Sequence, residues 1–289
     1  MFETLQLPFM QRAFLLGAVA AVPFGLIGTF VVVRRIGYLA GAVAHCAFGG
    51  IGIGLFLQYI LTSVFAASCA SCGAAVFLGY CFNPMFVSLI VAVLSALLIG
   101  FVHLRTNERE DTIIGAIWSA GMALGLLLLE MTPGNVNISN YLFGNILLIT
   151  PFDVVLVSSL CLIVLLTVML FFKRLEAVCF DEEFSRIRGI SSTFYFQVLL
   201  VLTALTVVLM VRIVGIILVI AMLTLPAAAA SRFANRLLPT CLYSIVICFI
   251  CTWAGLLISV CFNLSSGPAI VLTAAAVYMG TFCFRKKKR

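Results

Sequence analysis

Nine stretches of almost uninterrupted apolar residues dominate the chain, and short polar segments separate them. They lie at 13–33, 37–60, 85–104, 113–130, 153–172, 194–211, 213–231, 239–261 and 268–284. Each is about the length that a helix needs to cross a bilayer, so the pattern predicts an all-α polytopic membrane protein with nine spanning helices. The count falls to eight if the two stretches beside Arg212 form one helix broken at Gly215.

The composition supports a membrane location for the whole chain. Of the 289 residues, 64% are hydrophobic and only 9% are charged, whereas soluble domains carry about 25% charged residues. We therefore expect a single transmembrane domain over residues 1–289. Segment 61–84 is the weakest part of this assignment, because serine, glycine and the sequence CASC interrupt it. We interpret CASC as part of an outer loop or re-entrant segment.

Lysine and arginine residues divide the polar segments into two sets. Fifteen of the 17 lie in 34–36, 105–112, 173–190, 232–238 and 285–289, whereas 61–84, 131–152 and 262–267 contain none. Because cytoplasmic loops are enriched in these residues, the first set is predicted to be cytoplasmic. This puts the N-terminus outside and the C-terminus inside. The net charge of +7 then reflects membrane orientation rather than nucleic-acid binding.

The sequence lacks the motifs of an ATPase or a membrane metalloprotease. It contains no G-x-x-x-x-G-K-[ST] and no H-E-x-x-H, so we expect no enzymatic activity from this chain alone. The longest charged segment is KRLEAVCFDEEFSRIRGIS, residues 173–191. Acidic residues open a short run within it, and basic residues and a glycine close it, which predicts a short helix. This helix either docks a cytoplasmic partner or is a solvated connection.

His45 is an ionisable residue deep within the second apolar stretch. It follows Arg35 by ten residues, which places it about 15 Å along a helix from the charged boundary. Ionisable groups near the middle of a bilayer are candidates for functional sites. The alternative is a neutral histidine that is hydrogen-bonded within the bundle. In the GGIGIG sequence that follows, Gly50 and Gly54 have the spacing that allows close helix packing.

Eight sequence segments, in order, resemble the membrane permeases of bacterial ABC importers for zinc, manganese or iron. They are PFMQRAFLLG (8–17), GTFVVVRR (28–35), AHCAFGGIGIG (44–54), REDTIIGAIWSAGMALGLLL (109–128), YLFGNIL (141–147), FDEEFSRIRGI (180–190), VGIILVIAMLTLPAAAASRFA (214–234) and SSGPAIVL (265–272). The zinc branch looks closest. The resemblance implies a multi-pass permease of the bacterial plasma (inner) membrane that carries a divalent metal ion, with no permanently bound cofactor.

The resemblance also implies partners. Family members work as a pair of permeases, either two copies or one copy and a paralogue, with a dimer of cytoplasmic ABC ATPases that binds the ATP. An external metal-binding lipoprotein or periplasmic protein delivers the ion. Segment 173–191 then contains the coupling helix that contacts the ATPase, and the implied contacts are Glu182, Glu183, Arg186, Arg188 and Gly189.

The same resemblance implies that His45 lies on the metal path. The family carries an aspartate four residues before this histidine, but Gly41 occupies that position here. A single imidazole is a poor metal cage, so we expect the site to be weak or completed from elsewhere. The candidates are Glu130 at the outer mouth, Asp153, and His45 of a second permease copy, which we prefer. Cys46 is expected to point away from the path.

Two other classes of transporter remain as alternatives. A secondary carrier driven by an ion gradient needs coupling charges within its spans, and apart from His45 this chain has almost none. An ABC permease for siderophores or vitamin B12 needs a wider path. A divalent-metal permease is therefore the favoured interpretation.

Overall fold

Ten α-helices make up the regular structure of the residues described here. The computed structural model describes residues 8–68, 84–105, 110–133, 144 and 151–283. In chain order the helices are α1 Pro8–Val33, α2 Gly37–Ser68, α3 Pro84–Arg105, α4 Glu110–Met131, α5 Pro151–Phe180, α6 Glu182–Ile187, α7 Ser192–Val214, α8 Ile216–Ala230, α9 Leu237–Phe262 and α10 Ser266–Cys283. The prediction of an all-helical polytopic protein is confirmed.

Six of these helices, α1 to α5 and α9, are long and apolar enough to cross a membrane. The apolar parts of α7, α8 and α10 are shorter, at 10–17 residues. These nine helices follow the order of the nine predicted stretches. The number of spans and the outside position of the N-terminus remain predictions. The CASC sequence lies outside the described residues.

Several helix boundaries differ from the predicted ones. Helix α2 continues to Ser68 instead of ending at 60, and α5 continues to Phe180 instead of 172. Hydropathy shows only where a run of apolar residues ends. The α5 helix continues beyond Lys173 and Arg174 because its backbone hydrogen bonds do not require apolar side chains. The 30 residues of α5 are about 45 Å long, which exceeds the roughly 30 Å of a hydrocarbon core.

Close contacts between helix backbones hold α2 between two neighbours. A Cβ atom added at Gly50 or Gly54 would lie 2.6 Å from the Cα of Ser88 or Pro84 in α3. On the other side, Gly52 would meet the carbonyl oxygen of Gly125 in α4 at the same distance. The predicted packing role of Gly50 and Gly54 is therefore confirmed, and α2 is fixed in position along the middle of its length.

The boundary between α7 and α8 lies at Gly215, not at Arg212. Gly215 has a φ of 85°, a conformation that interrupts a helix and that glycine adopts without strain. The alternative prediction, a break at Gly215, therefore gives the observed boundary, because backbone conformation rather than charge determines it. Pro226 lies within α8, which extends from Ile216 to Ala230.

Candidate functional site

The imidazole of His45 contacts an aromatic side chain of the neighbouring helix α4. Its ring stacks on the indole of Trp118 with 4.5 Å between ring centroids and 22° between ring planes. The His45 side chain is partly buried, and its Nδ1 atom is buried without a hydrogen-bond partner. A buried polar nitrogen without a partner is costly. The expectation of a hydrogen-bonded core histidine therefore does not hold for Nδ1.

Gly41 provides the space that Trp118 occupies. A Cβ atom at position 41 would lie 3.0 Å from Cζ3 and 3.3 Å from Cη2 of the indole. Gly41 and His45 are one helical turn apart and so share a face of α2. The place where the resemblance implies an aspartate is thus next to an indole ring in this chain.

The structure does not bring Cys46 and Glu130 together with His45 in one metal site. Cys46 directs its Sγ atom to the carbonyl oxygen of Ile117, 3.6 Å away, consistent with its expected direction. Glu130 is exposed in the last turn of α4, twelve residues or about 18 Å along that helix from Trp118. Asp153 lies in the first turn of α5. In the described part of the chain, no group of three or more His, Cys, Asp or Glu residues forms a metal site.

The short helix α6 forms where the charge pattern predicts it. Asp181 caps its N-terminus, since the Oδ1 atom accepts a hydrogen bond from the backbone N–H of Phe184 at 2.9 Å. Gly189 follows its end with a φ of 77°, and Ile190 donates to the carbonyl oxygen of Ser185 at 3.0 Å. These are the usual signals for starting and stopping a helix.

Glu182 connects α6 to two other parts of the bundle. Its Oε2 atom lies 2.6 Å from Nη2 of Arg34, at the end of α1. Its Oε1 atom accepts hydrogen bonds from Arg186 at 2.8 Å and from Ser192, the first residue of α7, at 3.1 Å. Arg34 also donates to the carbonyl oxygen of Val178 in α5 at 2.9 Å. Glu182 therefore faces the permease itself, whereas Glu183 is exposed.

Burial alone would raise the pKa of Glu182. The hydrogen bond and positive charge of Arg34, with hydrogen bonds from Ser192 and Arg186, outweigh burial and hold this pKa below its usual value. The stabilisation from Glu182 is thus complete at neutral pH. It is lost as the pH falls from the usual carboxyl range through the lowered pKa.

Glu182→Gln is expected to lower the free energy of unfolding by about 1–3 kcal/mol, because it removes charge-assisted hydrogen bonds from a partly buried group. The melting temperature of the purified permease in detergent at neutral pH measures this effect. Glu183→Gln is the matched control and should melt like the wild type. Equal melting temperatures for the two variants would contradict a structural role for Glu182.

Two apolar residues on α6 were missed by an interpretation based on charge. Ile187 is 84% exposed and Phe184 is 49% exposed, and the Arg188 guanidinium lies 4.7 Å from the Phe184 ring centroid. Large apolar side chains on a polar connecting segment indicate a contact surface. The sequence did contain a signal for this surface, because Phe184 and Ile187 are large apolar residues between Asp181 and Gly189, which bound the predicted polar helix.

The described helices define a multi-pass α-helical membrane protein with a short exposed helix beside its basic segments. The sequence matches the ABC 3 transport family over residues 6–285. The chain therefore belongs to the ABC 3 transport family, which confirms the resemblance to ABC-transporter permeases. A multi-pass protein of the bacterial plasma membrane follows from this membership.

Individual relatives match over nearly the whole length. The "Probable metal transport system membrane protein" of Chlamydia pneumoniae is 35% identical over 99% of this chain and 92% of its own. The manganese transport system membrane protein MntC of Listeria monocytogenes is 30% identical, with 98% and 93% covered. The structure of PsaBC from Streptococcus pneumoniae in complex with Fab superposes with a TM-score of 0.80 at 27% identity, covering 97% of this chain and 94% of that one.

Proposed function

We propose that this chain is the membrane permease of an ATP-driven importer that carries divalent metal ions into the cytoplasm. The full-length match to the ABC 3 transport family carries the proposal. The names of the relatives from Chlamydia and Listeria support a metal as the cargo. In this proposal the basic segments face the cytoplasm, residues 173–191 couple the permease to an ATPase dimer, and an external binding protein delivers the ion.

The proposed path passes His45. This residue lies in α2, within the candidate span Gly37–Ser63, and its side chain is only partly buried, so the ring can offer a nitrogen to an ion. Since no group of three or more His, Cys, Asp or Glu residues forms a metal site in the described part of the chain, we assign the remaining ligands to water or to groups from a second permease. Weak binding suits transport, because a tight cage would hold the ion.

Two metals have specific support as the cargo. The name of the Listeria relative favours manganese. The chemistry of the site favours zinc, because imidazole suits zinc whereas manganese prefers carboxylate oxygens. We propose zinc on this ground, with manganese as the second candidate.

Uptake of radioactive zinc, manganese and iron tests the proposal. It is measured in bacteria that lack their own importers and express the permease, its ATPase and its binding protein. A control strain carries an ATPase with its P-loop lysine replaced. We expect uptake of one metal that requires the active ATPase. Uptake that persists with the inactive ATPase would favour a secondary carrier, and uptake of none of the three would overturn the metal assignment.

We propose that the ATPase docks on the exposed apolar residues of α6, Phe184 and Ile187. Ile187→Asp places a charge where an apolar contact is expected, and loss of such a contact costs about 1–3 kcal/mol or more. We therefore expect binding of the ATPase to the permease, measured by copurification, to weaken at least about fivefold. The matched control is Phe262→Asp, which places the same charge at an exposed position at the end of α9. Equal ATPase recovery with both variants would contradict docking through Ile187.

A further inference from the structure

Three residues from two helices form one stacked unit. Gly41 and His45 lie on the same face of α2, and Trp118 of α4 covers both positions. The indole is 4.5 Å from the imidazole, centroid to centroid. Its six-membered ring lies over Gly41, where a Cβ atom would be only 3.0 Å from Cζ3. The absence of a side chain at position 41 is what allows the indole to lie there.

The orientation of the imidazole depends on this stack. A histidine that binds a metal is usually oriented by a hydrogen bond to its other ring nitrogen. Here Nδ1 is buried, and no hydrogen-bond partner for it exists among the described residues. The stack on Trp118 is then the contact that can hold the plane of the imidazole.

We propose that Trp118 is the positioning residue for His45, and that Gly41 is required to admit its indole. The proposal rests on the function proposed above, in which His45 lies on the metal path. Trp118 does not bind the ion. It fixes the imidazole so that a ring nitrogen is presented to a divalent cation without cost in side-chain freedom at the moment of binding.

The stack also indicates the class of ion. Trp118 occupies the space one helical turn before His45, so no acidic side chain can share that space. The ligands offered are then an imidazole nitrogen and water, which suit zinc, cobalt or nickel better than manganese or magnesium. Selection against hard cations is thus part of the expected behaviour of this site.

Fluorescence of Trp118 gives a direct reading of metal binding without transport. The chain has two tryptophans, and Trp253→Phe leaves Trp118 as the sole tryptophan. This background variant is tested as the full-length permease in lipid nanodiscs and titrated with Co²⁺, whose unpaired electrons quench a nearby indole. We expect saturable quenching that Zn²⁺ reverses and that a large excess of Mn²⁺ does not. Adding His45→Ala should abolish it, and equal quenching in that variant would overturn a site at His45.

Uptake kinetics separate positioning from a merely structural role. Trp118→Leu keeps an apolar side chain but removes the stack, and it should raise KM for the metal about 10- to 100-fold, as loss of other groups that orient a metal-binding histidine does. Trp118→Phe retains an aromatic face and should restore most of the affinity. A Trp118→Leu variant with unchanged KM, or a Trp118→Phe variant as poor as Trp118→Leu, would overturn the proposal.

Gly41→Leu provides an independent test, since its side chain would displace the indole from the imidazole. It should reproduce the KM effect of Trp118→Leu, whereas Gly280→Leu in α10, where a Cβ atom meets nothing within 4 Å, should behave like the wild type. Melting temperatures verify that each variant is folded.

If wild-type permease transports metal but Gly41→Leu keeps its KM, the inference fails and the proposed function stands. If wild type transports no metal yet Co²⁺ quenching requires His45, the proposed function fails and the site stands.

Discussion

Gly144→Ala is expected to prevent folding, so that little or no folded permease is present in the membrane. Gly144 has a φ of 63°, and an added Cβ atom would lie 2.2 Å from the carbonyl carbon of Val214 and 2.5 Å from the backbone nitrogen of Gly215. Both contacts are with backbone at the junction of α7 and α8, which cannot rotate away. The predicted loss exceeds about 4 kcal/mol, the range reached only when a substitution conflicts with the fold itself.

Two glycine variants act as matched controls for this effect. Gly189 has a φ of 77° but open space around it, so Gly189→Ala should cost only the backbone strain of about 1–2 kcal/mol. Gly280→Ala meets neither obstacle and should be neutral. The measurement is the yield of monodisperse permease extracted in mild detergent. A yield for Gly144→Ala equal to that for Gly280→Ala would contradict the close approach at the α7–α8 junction.

His45→Ala is expected to lower metal uptake by at least about tenfold, since loss of groups that merely orient such a ligand costs 10- to 100-fold. The change leaves α6 intact, together with the hydrogen bonds of Glu182 to Arg34 and Ser192. ATPase binding and ATP hydrolysis should therefore persist. Uptake and hydrolysis are measured on the same membranes.

Cys46→Ala is the control on the neighbouring position. Its thiol faces the backbone of α4, and the side chain is only 5% exposed, so uptake should remain close to the wild-type level. Normal uptake by His45→Ala would show that this histidine only packs within the bundle and does not bind the transported metal. Loss of uptake in both variants would indicate damage to α2 rather than loss of a ligand.

Local signals in the sequence were sufficient to predict α6. Asp181 begins the helix and Gly189 ends it through contacts with residues three to five positions away. Such short-range hydrogen bonds depend on residue type and spacing, which the sequence contains directly. The nine apolar helices were predictable for a related reason, since hydropathy is a property of each segment alone.

Contacts between distant segments could not be predicted in the same way. Trp118 is 73 positions from His45, and no pattern within either helix indicates that their rings stack. The resemblance implied an ATPase contact for Glu182, but nothing in the sequence indicated that Arg34, 148 positions away, binds its carboxylate. Which face of a helix meets which neighbour depends on packing of the whole bundle.

ATP-driven accumulation of metal in sealed proteoliposomes tests the central claim most directly. The vesicles contain purified permease and ATPase, with the binding protein and radioactive zinc or manganese on the opposite side from ATP. The account predicts that metal moves towards the side that holds the ATPase, only while ATP is hydrolysed. It also predicts that His45→Ala lowers this movement at least about tenfold but leaves hydrolysis unchanged. Accumulation driven by an ion gradient without ATP, or unaffected by His45→Ala, would contradict it.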